Sequence, residues 1–455
     1  LFITIISCFL ALVILWLVMP LYNQLLGYEL AVNWNSWQPY ALLLGIIVCV
    51  GGLSGCYPAF YLSGFSPVAS IKGKLNLGKG GVLFRQSLVV VQFTISVLLM
   101  IGTIIIMYQM RYVRQKDLGY NKEQSMLVRL DNADIYQNRT LFKQALENEP
   151  GIASVSLMSG EPGGFFDGYY FDVEGQHEKW NARTEYTDFQ YVKTLGLKIV
   201  AGRDFSVQYP TDSADAVLIN QTAAAKLGWT DQEAIGKWIR NTSNDSLKRR
   251  IVGVIQDFSF LSLKENMMPL VITPGSDHRL AIIRLKGGDI HRTVSAIKKD
   301  YALAAPAYPF EYSFLDQQFD DMYSKDIKQQ TILSIFSGLA ILIACLGLFG
   351  LATYTTTQRI KEIGVRKVLG SSVRALVVLI SKDLLKPVII ATLLALPIGY
   401  LVMNKWLHNF AYHTPLHWWF FALAVLVTFG IALVTVSIKA LKAATQSPVT
   451  SLQSE

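Results

Sequence analysis

TTTQRIKEIGVRKVLGSSVRALVVLISK, residues 355–382, lies between the apolar runs 331–354 and 384–403. It gathers Arg359, Lys361, Arg366, Lys367, Arg374 and Lys382 around the single acid Glu362. A polar backbone finds no hydrogen-bond partner in hydrocarbon, so this segment belongs in water or at a membrane surface. Its excess of Arg and Lys assigns it to the cytoplasmic side. As a helix it would bring Glu362 and Arg366 within pairing distance and put Ile360, Ile363 and Lys367 on one face. Such a helix is either a surface anchor or a handle for a cytoplasmic partner.

Composition agrees with a membrane setting. Of 455 residues 52% are hydrophobic and 16% charged, with mean hydropathy +0.34, whereas charged residues make up about a quarter of soluble proteins. The formal charge of +8 is unevenly spread: residues 111–328 hold 27 Lys and Arg against 29 Asp and Glu, and the remainder holds 14 against 4. Positive charge that flanks apolar spans sets topology, and no nucleic-acid partner is expected. Cys8, Cys49, Cys56 and Cys345 all fall in apolar runs, so the polar middle can build neither a disulfide framework nor a Cys-based metal site. The chain opens on Leu1 inside an apolar run without a basic leader, which reads as a fragment of a longer chain.

Taken in order, Leu1–Met19 is a first span ended by Pro20, and Tyr40–Leu62 a second, with Gly45, Gly51, Gly52 and Gly55 available for close helix packing. The loop between them, with Trp34, Trp37 and Glu29, faces outward; Ser63–Gln86, with Lys72, Lys74, Lys79 and Arg85, faces the cytoplasm. Ser87–Met110 is the third span, and its Gln92 either joins helices or is satisfied inside the bundle. In the middle, strands are expected at 124–130, 152–158, 216–220, 250–255 and 281–285, and helices at 140–148, 221–227 and 290–301. That alternation points to an α/β or α+β domain. Glycines mark turns in GEPGGFFDG (160–168) and AGRDF (201–205). Residues 315–330 read as a stalk helix leading to the fourth span, Thr331–Tyr354. Leu384–Met403, bent by Pro387 and Pro397, and Trp418–Ile438 complete six spans with both visible ends inside.

SPVASIK at 66–72 and SPVTSLQ at 447–453 each follow an outward span, a Trp-bearing loop and an inward span. The first two spans therefore match the last two as an internal repeat. Chemical motifs are sparse. No GxxxxGK[ST] occurs, which argues against ATP hydrolysis in cis. His408, His413 and His417 share one loop without a common helix face, and Asp167, Asp172 and Glu174 read as turn acids rather than paired catalytic carboxylates. No acid or base sits near the centre of a span, which disfavours an ion-coupled carrier.

RIKEIGVRKVLGSS at 359–372 resembles the signature following the second membrane helix of MacB/FtsX-type ABC transporter permeases. YVKTLGLKIVAGRDF (191–205), VLINQTAAAKLGW (217–229) and IVGVIQDFSFLSL (251–263) resemble the periplasmic core domain of that family. LSGCYPAFYLSGFSPVASIKGK (53–74) is similar to the end of an FtsX-like transmembrane block. The resemblance implies six transmembrane helices with an α+β periplasmic domain inserted between the third and fourth. Residues 1–86 would end a first block, 87–110 form a helix, 111–328 the core domain with stalks, and 329–455 a second block. The chain would then be the C-terminal part of a duplicated member. The same resemblance makes 359–370 a coupling helix, with Glu362, Gly364, Arg366 and Gly370 docking on a separate ATP-binding subunit and Arg359, Lys361 and Lys367 as charged support. It implies no catalytic residue, metal or cofactor in this chain, ATP and Mg in a partner ATPase, which would be a dimer, and contacts with membrane lipids. A periplasmic adaptor or substrate protein is a further expected partner, and the bacterial inner membrane the expected location. A signal-transducing receptor with a periplasmic sensor domain is the alternative from another class.

Overall fold

The computed structural model describes residues 2–27, 29–63, 79–164, 166–243 and 247–445. Both copies of the 66–72 and 447–453 repeat, and Lys72 and Lys74, lie outside those residues. The chain divides into a helical unit, Leu1–Thr103 with Lys328–Ile398 and Phe421–Glu455, and a strand-rich unit, Ile104–Ile327 with Gly399–Phe420.

Five helices among the described residues are long and apolar enough to cross a membrane: Phe2–Gln24, Leu83–Gln115, Ser324–Gln358, Val373–Leu407 and Trp418–Lys442. The expected second span is helical over Gln38–Ser63, but its described apolar part, Gln38–Gly52, is shorter. Several expected boundaries shift. The first helix continues through Pro20 to Leu26 and stops at Gly27, whose φ of 77° suits glycine. A proline deletes one helical hydrogen bond, whereas ending the helix within an apolar run would leave several backbone groups without partners. The third helix starts at Lys79, not Ser87, and runs to Gln115. The stretch 371–382, which follows the expected coupling helix, is helical from Val373, and that helix continues past Pro387 and Pro397.

The helical unit packs through small and branched residues, among them Ala344, Leu348, Ile380, Ala391 and Ala432, around Phe93. Small side chains let helices approach closely. Gln92 is such a contact: a Cβ at Gly347 would collide with its Oε1, and that oxygen has no hydrogen-bond partner. Of the four glycines in the second helix, Gly51 is buried and the other three make no close contact. A Cβ at Gly45, Gly52 or Gly55 would meet nothing within 4 Å, because all three are exposed.

The strand-rich unit is one mixed, mostly antiparallel sheet of eleven strands. In chain order these are β1 (Ser125–Arg129), β2 (Ile152–Met158), β3 (Asp167–Val173), β4 (Trp180–Thr187), β5 (Ile199–Gly202), β6 (Ala216–Asn220), β7 (Trp238–Asn241), β8 (Lys248–Ile255), β9 (Leu270–Pro274), β10 (Leu280–Leu285) and β11 (Tyr312–Phe314). The pairings β4–β3, β3–β7, β7–β8, β8–β6, β6–β9 and β9–β4 close a six-strand ring. Its core includes Phe171, Val217, Ile219, Ile251, Val254 and Val271. Of the other strands, β5 pairs with β8, and β11-β1-β10-β2, in that order, form an open flange, with a core that also takes in Phe142 and Leu146 of helix Ala133–Glu147 and Ile297 and Tyr301 of helix Ile290–Ala304. At AGRDF, Gly202 has φ 73°, and the Val252 carbonyl occupies the space a Cβ would need.

Flange and ring meet along β2 and β4, where the ladder supplies a single residue pair, Met158 opposite Thr187. Two carboxylates complete the junction. Asp188 accepts from Leu157 N at 2.8 Å, Ser156 Oγ at 2.7 Å and Lys143 Nζ at 2.7 Å. Glu185, fully buried, accepts from Ser159 N at 2.8 Å and Gly160 N at 2.9 Å. Gly160 is required there, since a Cβ would run into Glu185 and Phe166.

Residues 315–330 do not form one stalk. Helix Leu315–Met322 breaks at Tyr323 before helix Ser324–Gln358, and the buried Tyr323 hydroxyl accepts from Leu263 N at 2.7 Å. A bond to a fixed loop favours interrupting the helix over continuing it. The segment Gly399–Phe420 joins the same unit: buried Gln109 donates to Tyr412 O at 3.1 Å and accepts from Thr414 N at 2.8 Å. Lys264 and Asp326 pair at 2.8 Å beside it.

Burial pushes the Glu185 carboxyl up to about 7; the Gly160 and Ser159 donors pull it back, and Asp167 pushes it further. The folded state therefore holds a proton that the unfolded chain releases near 4.5. Stability from this group is complete below pH 4.5 and falls as pH rises through about 7, by on the order of 3 kcal/mol. Thermal unfolding of the wild type and Glu185→Gln across that window is expected to show this loss only in the wild type.

Candidate functional site

The helix Ile360–Val368 starts at Arg359, which leaves helical geometry (φ −101°, ψ 14°) and provides no side-chain cap. Its guanidinium instead reaches Asp383 on the following helix, Nη1 to Oδ2 at 2.9 Å, while the other Asp383 oxygen takes Lys386 Nζ at 2.8 Å. At the far end Ser371 N donates to Arg366 O at 2.9 Å and Gly370 N to Lys367 O at 3.1 Å. With Gly370 at φ 91°, these two bonds make a Schellman turn, which a residue with a Cβ forms only under strain.

Two opposite faces result. Ile363, 7% exposed, enters the core of the helical unit beside Leu376 and Ile380, a burial that contributes about 2 kcal/mol. Gly364 is buried with it, and Ile360 and Lys367 are half-buried on the same side. The outward face carries Glu362 and Arg366, joined at 2.8 Å. Both are nearly half exposed, so the pair adds less than about 1 kcal/mol. Around it Val365, Val368 and Leu369 are 49%, 65% and 80% exposed.

The residues expected to dock thus divide by role. Glu362 and Arg366 share the open face, Gly364 points inward, Gly370 ends the helix, Arg359 ties its start to the next helix, and Lys361 stands in the first turn. Sequence reasoning overlooked Asp383, although apart from Glu362 it is the only acid between residues 327 and 454. It also overlooked Val365, Val368 and Leu369, whose i, i+3, i+4 spacing signals a helix face.

The acids weighed as paired carboxylates are each joined to a basic side chain. Asp167 meets Arg279 at 3.2 Å, Glu174 meets Lys237 at 2.9 Å, and Asp172 pairs with Arg240 across β3 and β7. Each acid faces a base rather than another acid. His408 and His413 lie 5.7 Å apart by ring centroid, while His417 stacks on Trp419. Among the described residues no group of three His, Cys, Asp or Glu could hold a metal ion.

Residues 334–448 match the family described as FtsX-like permease C-terminal, and residues 88–299 match the MacB-like periplasmic core domain. The chain belongs to the FtsX-like permeases with a MacB-like core domain. In this FtsX-like permease the docking candidates all fall inside the first match, and β1 to β10 inside the second. No curated protein sequence matches the chain. Similar solved structures include the periplasmic region of MacB from Actinobacillus actinomycetemcomitans, at 14% identity and TM-score 0.34, covering 44% of this chain and 93% of that one. A permease domain from Porphyromonas gingivalis has 16% identity and TM-score 0.29, with 42% and 89% covered. The extracellular domain of the transporter YknZ from Gram-positive bacteria has 13% identity and TM-score 0.30, with 42% and 98% covered.

Gly370→Ala is expected to cost the helix end about 1–2 kcal/mol. Hydrogen exchange should find the Gly370 and Ser371 amides opening about tenfold faster, while amides of the six-strand ring keep wild-type protection.

Proposed function

We propose that this ABC transporter permease sits in the bacterial inner membrane and couples ATP hydrolysis by a separate cytoplasmic ATPase dimer to movement of its core domain in the periplasm. In this reading the chain has six spans, both visible ends inside, and the core domain lies between the third and fourth. ATP and Mg belong to the partner. The work done outside is export of peptides or drugs, or lipoprotein handling, with an adaptor or substrate protein meeting the core domain there.

One observation carries the reading: Val365, Val368 and Leu369 expose an apolar stripe beside the Glu362–Arg366 pair on a helix whose other face is packed. An anchor would bury its apolar side in lipid and turn its charges to water. Here apolar and charged groups share one exposed face, the mixture that suits a protein partner with an apolar socket and a polar rim. Arg359 and Gly370 serve as positioning residues, because one ties the helix start and the other sets its end.

Val365→Asp combined with Leu369→Asp is expected to weaken association with the ATPase at least thirtyfold, roughly 2 kcal/mol. Glu362→Ala with Arg366→Ala should weaken it less. Co-purification in mild detergent measures both, and an active chain that retains no ATPase would sink the proposal.

A further inference from the structure

At the inner end of the helical unit, Thr353, Thr356 and Thr357 of helix Ser324–Gln358 face Lys439 and Lys442 of helix Trp418–Thr445 across a cleft of about 180 Å³. Its remaining lining comes from Ile360 and Ile363 of the basic helix. Lys439 Nζ lies 3.7 Å from the centroid of the Phe349 ring, which holds the ammonium at the cleft wall. Among the described residues neither lysine forms an ion pair. The threonine hydroxyls donate to their own helix, Thr353 to Phe349 O at 2.9 Å, Thr356 to Ala352 O at 2.8 Å and Thr357 to Thr353 O at 2.9 Å. Their oxygens are left as acceptors.

From this arrangement we infer that the cleft binds the headgroup of an anionic phospholipid that carries hydroxyl donors, of the phosphoglycerol class. The two ammonium groups neutralise the phosphate, and the glycerol hydroxyls donate to the threonine oxygens. Bare phosphate satisfies only the first requirement. Exposed Ile438 and Leu441 flank the lysines on the same helix, giving the acyl chains an apolar surface. Basic pockets between membrane helices on the cytoplasmic side suit anionic headgroups generally, with each lysine near the surface contributing roughly fivefold in affinity.

Because Ile360 and Ile363 form part of the cleft, a bound headgroup braces the packed face of the basic helix. Lipid occupancy then favours the orientation in which Val365 and Leu369 face outward. This consequence rests on the docking function proposed above, whereas lipid binding itself does not.

The test uses the full chain in phosphatidylcholine vesicles with or without phosphatidylglycerol, followed by native mass spectrometry of retained lipid. Phosphatidylglycerol is expected to be retained over phosphatidylcholine. Lys439→Gln with Lys442→Gln should lower that retention about twenty-five-fold, and Lys439→Arg with Lys442→Arg should preserve it. Thr353→Val with Thr357→Val should remove the preference for phosphatidylglycerol over phosphatidic acid, which has no glycerol hydroxyls. Equal retention of phosphatidylcholine, an unchanged glutamine variant, or displacement of the lipid by glycerol 3-phosphate at matched concentration would each overturn the assignment. Loss of ATPase association with lipid retention intact would refute the docking reading and leave the lipid site standing.

Discussion

A helix of nine residues has too few internal hydrogen bonds to hold itself together in water. Ile360–Val368 is held from outside, by the Arg359–Asp383 pair at its start, the Gly370 turn at its end and Ile363 in the core between them. These three contacts fix which face is presented. If the rotation about the helix axis were free, the face that carries Glu362, Arg366 and the valines would have no fixed direction. The weak Glu362–Arg366 pair could not impose the orientation, since its two partners are on the same helix and turn together.

The strand-rich unit solves a comparable problem with buried polar groups. Ring and flange share only one ladder pair, so side chains supply what backbone does not. Asp188 and Glu185 collect donors from β2 and the turn that follows it, which makes this junction more polar than either hydrophobic core. Gln109 plays a similar part, its amide donating to one backbone group of the 399–420 segment and accepting from another. Each of these groups would be costly to bury without its partners.

The parts legible in the sequence were those where one physical signal dominated. Long apolar runs announced the membrane helices, and the short apolar strands β2, β6 and β10 stood out against polar surroundings. β3 did not, because DGYYFDV buries only Phe171 and Val173 with the charged Asp172 between them opposite Arg240, and β4 did not, because most of what WNARTEYT buries is polar, Thr184, Glu185 and Thr187. β7 and β11 are too short to show any period. At the basic helix the charged residues are a signal in the sequence and the valines are not, since an apolar residue in a membrane protein carries little information until its exposure is known. In the sequence Gly370 reads as part of a docking motif, whereas its positive φ gives it a backbone task independent of any partner.

The closed ring also bears on how the protein behaves at high concentration. An unpaired strand edge is a template on which other chains add, and the hazard grows with edge length. Ring closure gives β3, β4, β6, β7, β8 and β9 partners on both sides, leaving open edges at β11, of three residues, at β5, of four, and along the part of β2 beyond its single pair with β4. Two of these edges are too short to seed strand addition, and on the third Asp188 occupies the Leu157 amide, so a domain built mostly of β-structure can stand crowded beside its neighbours without joining their sheets to its own.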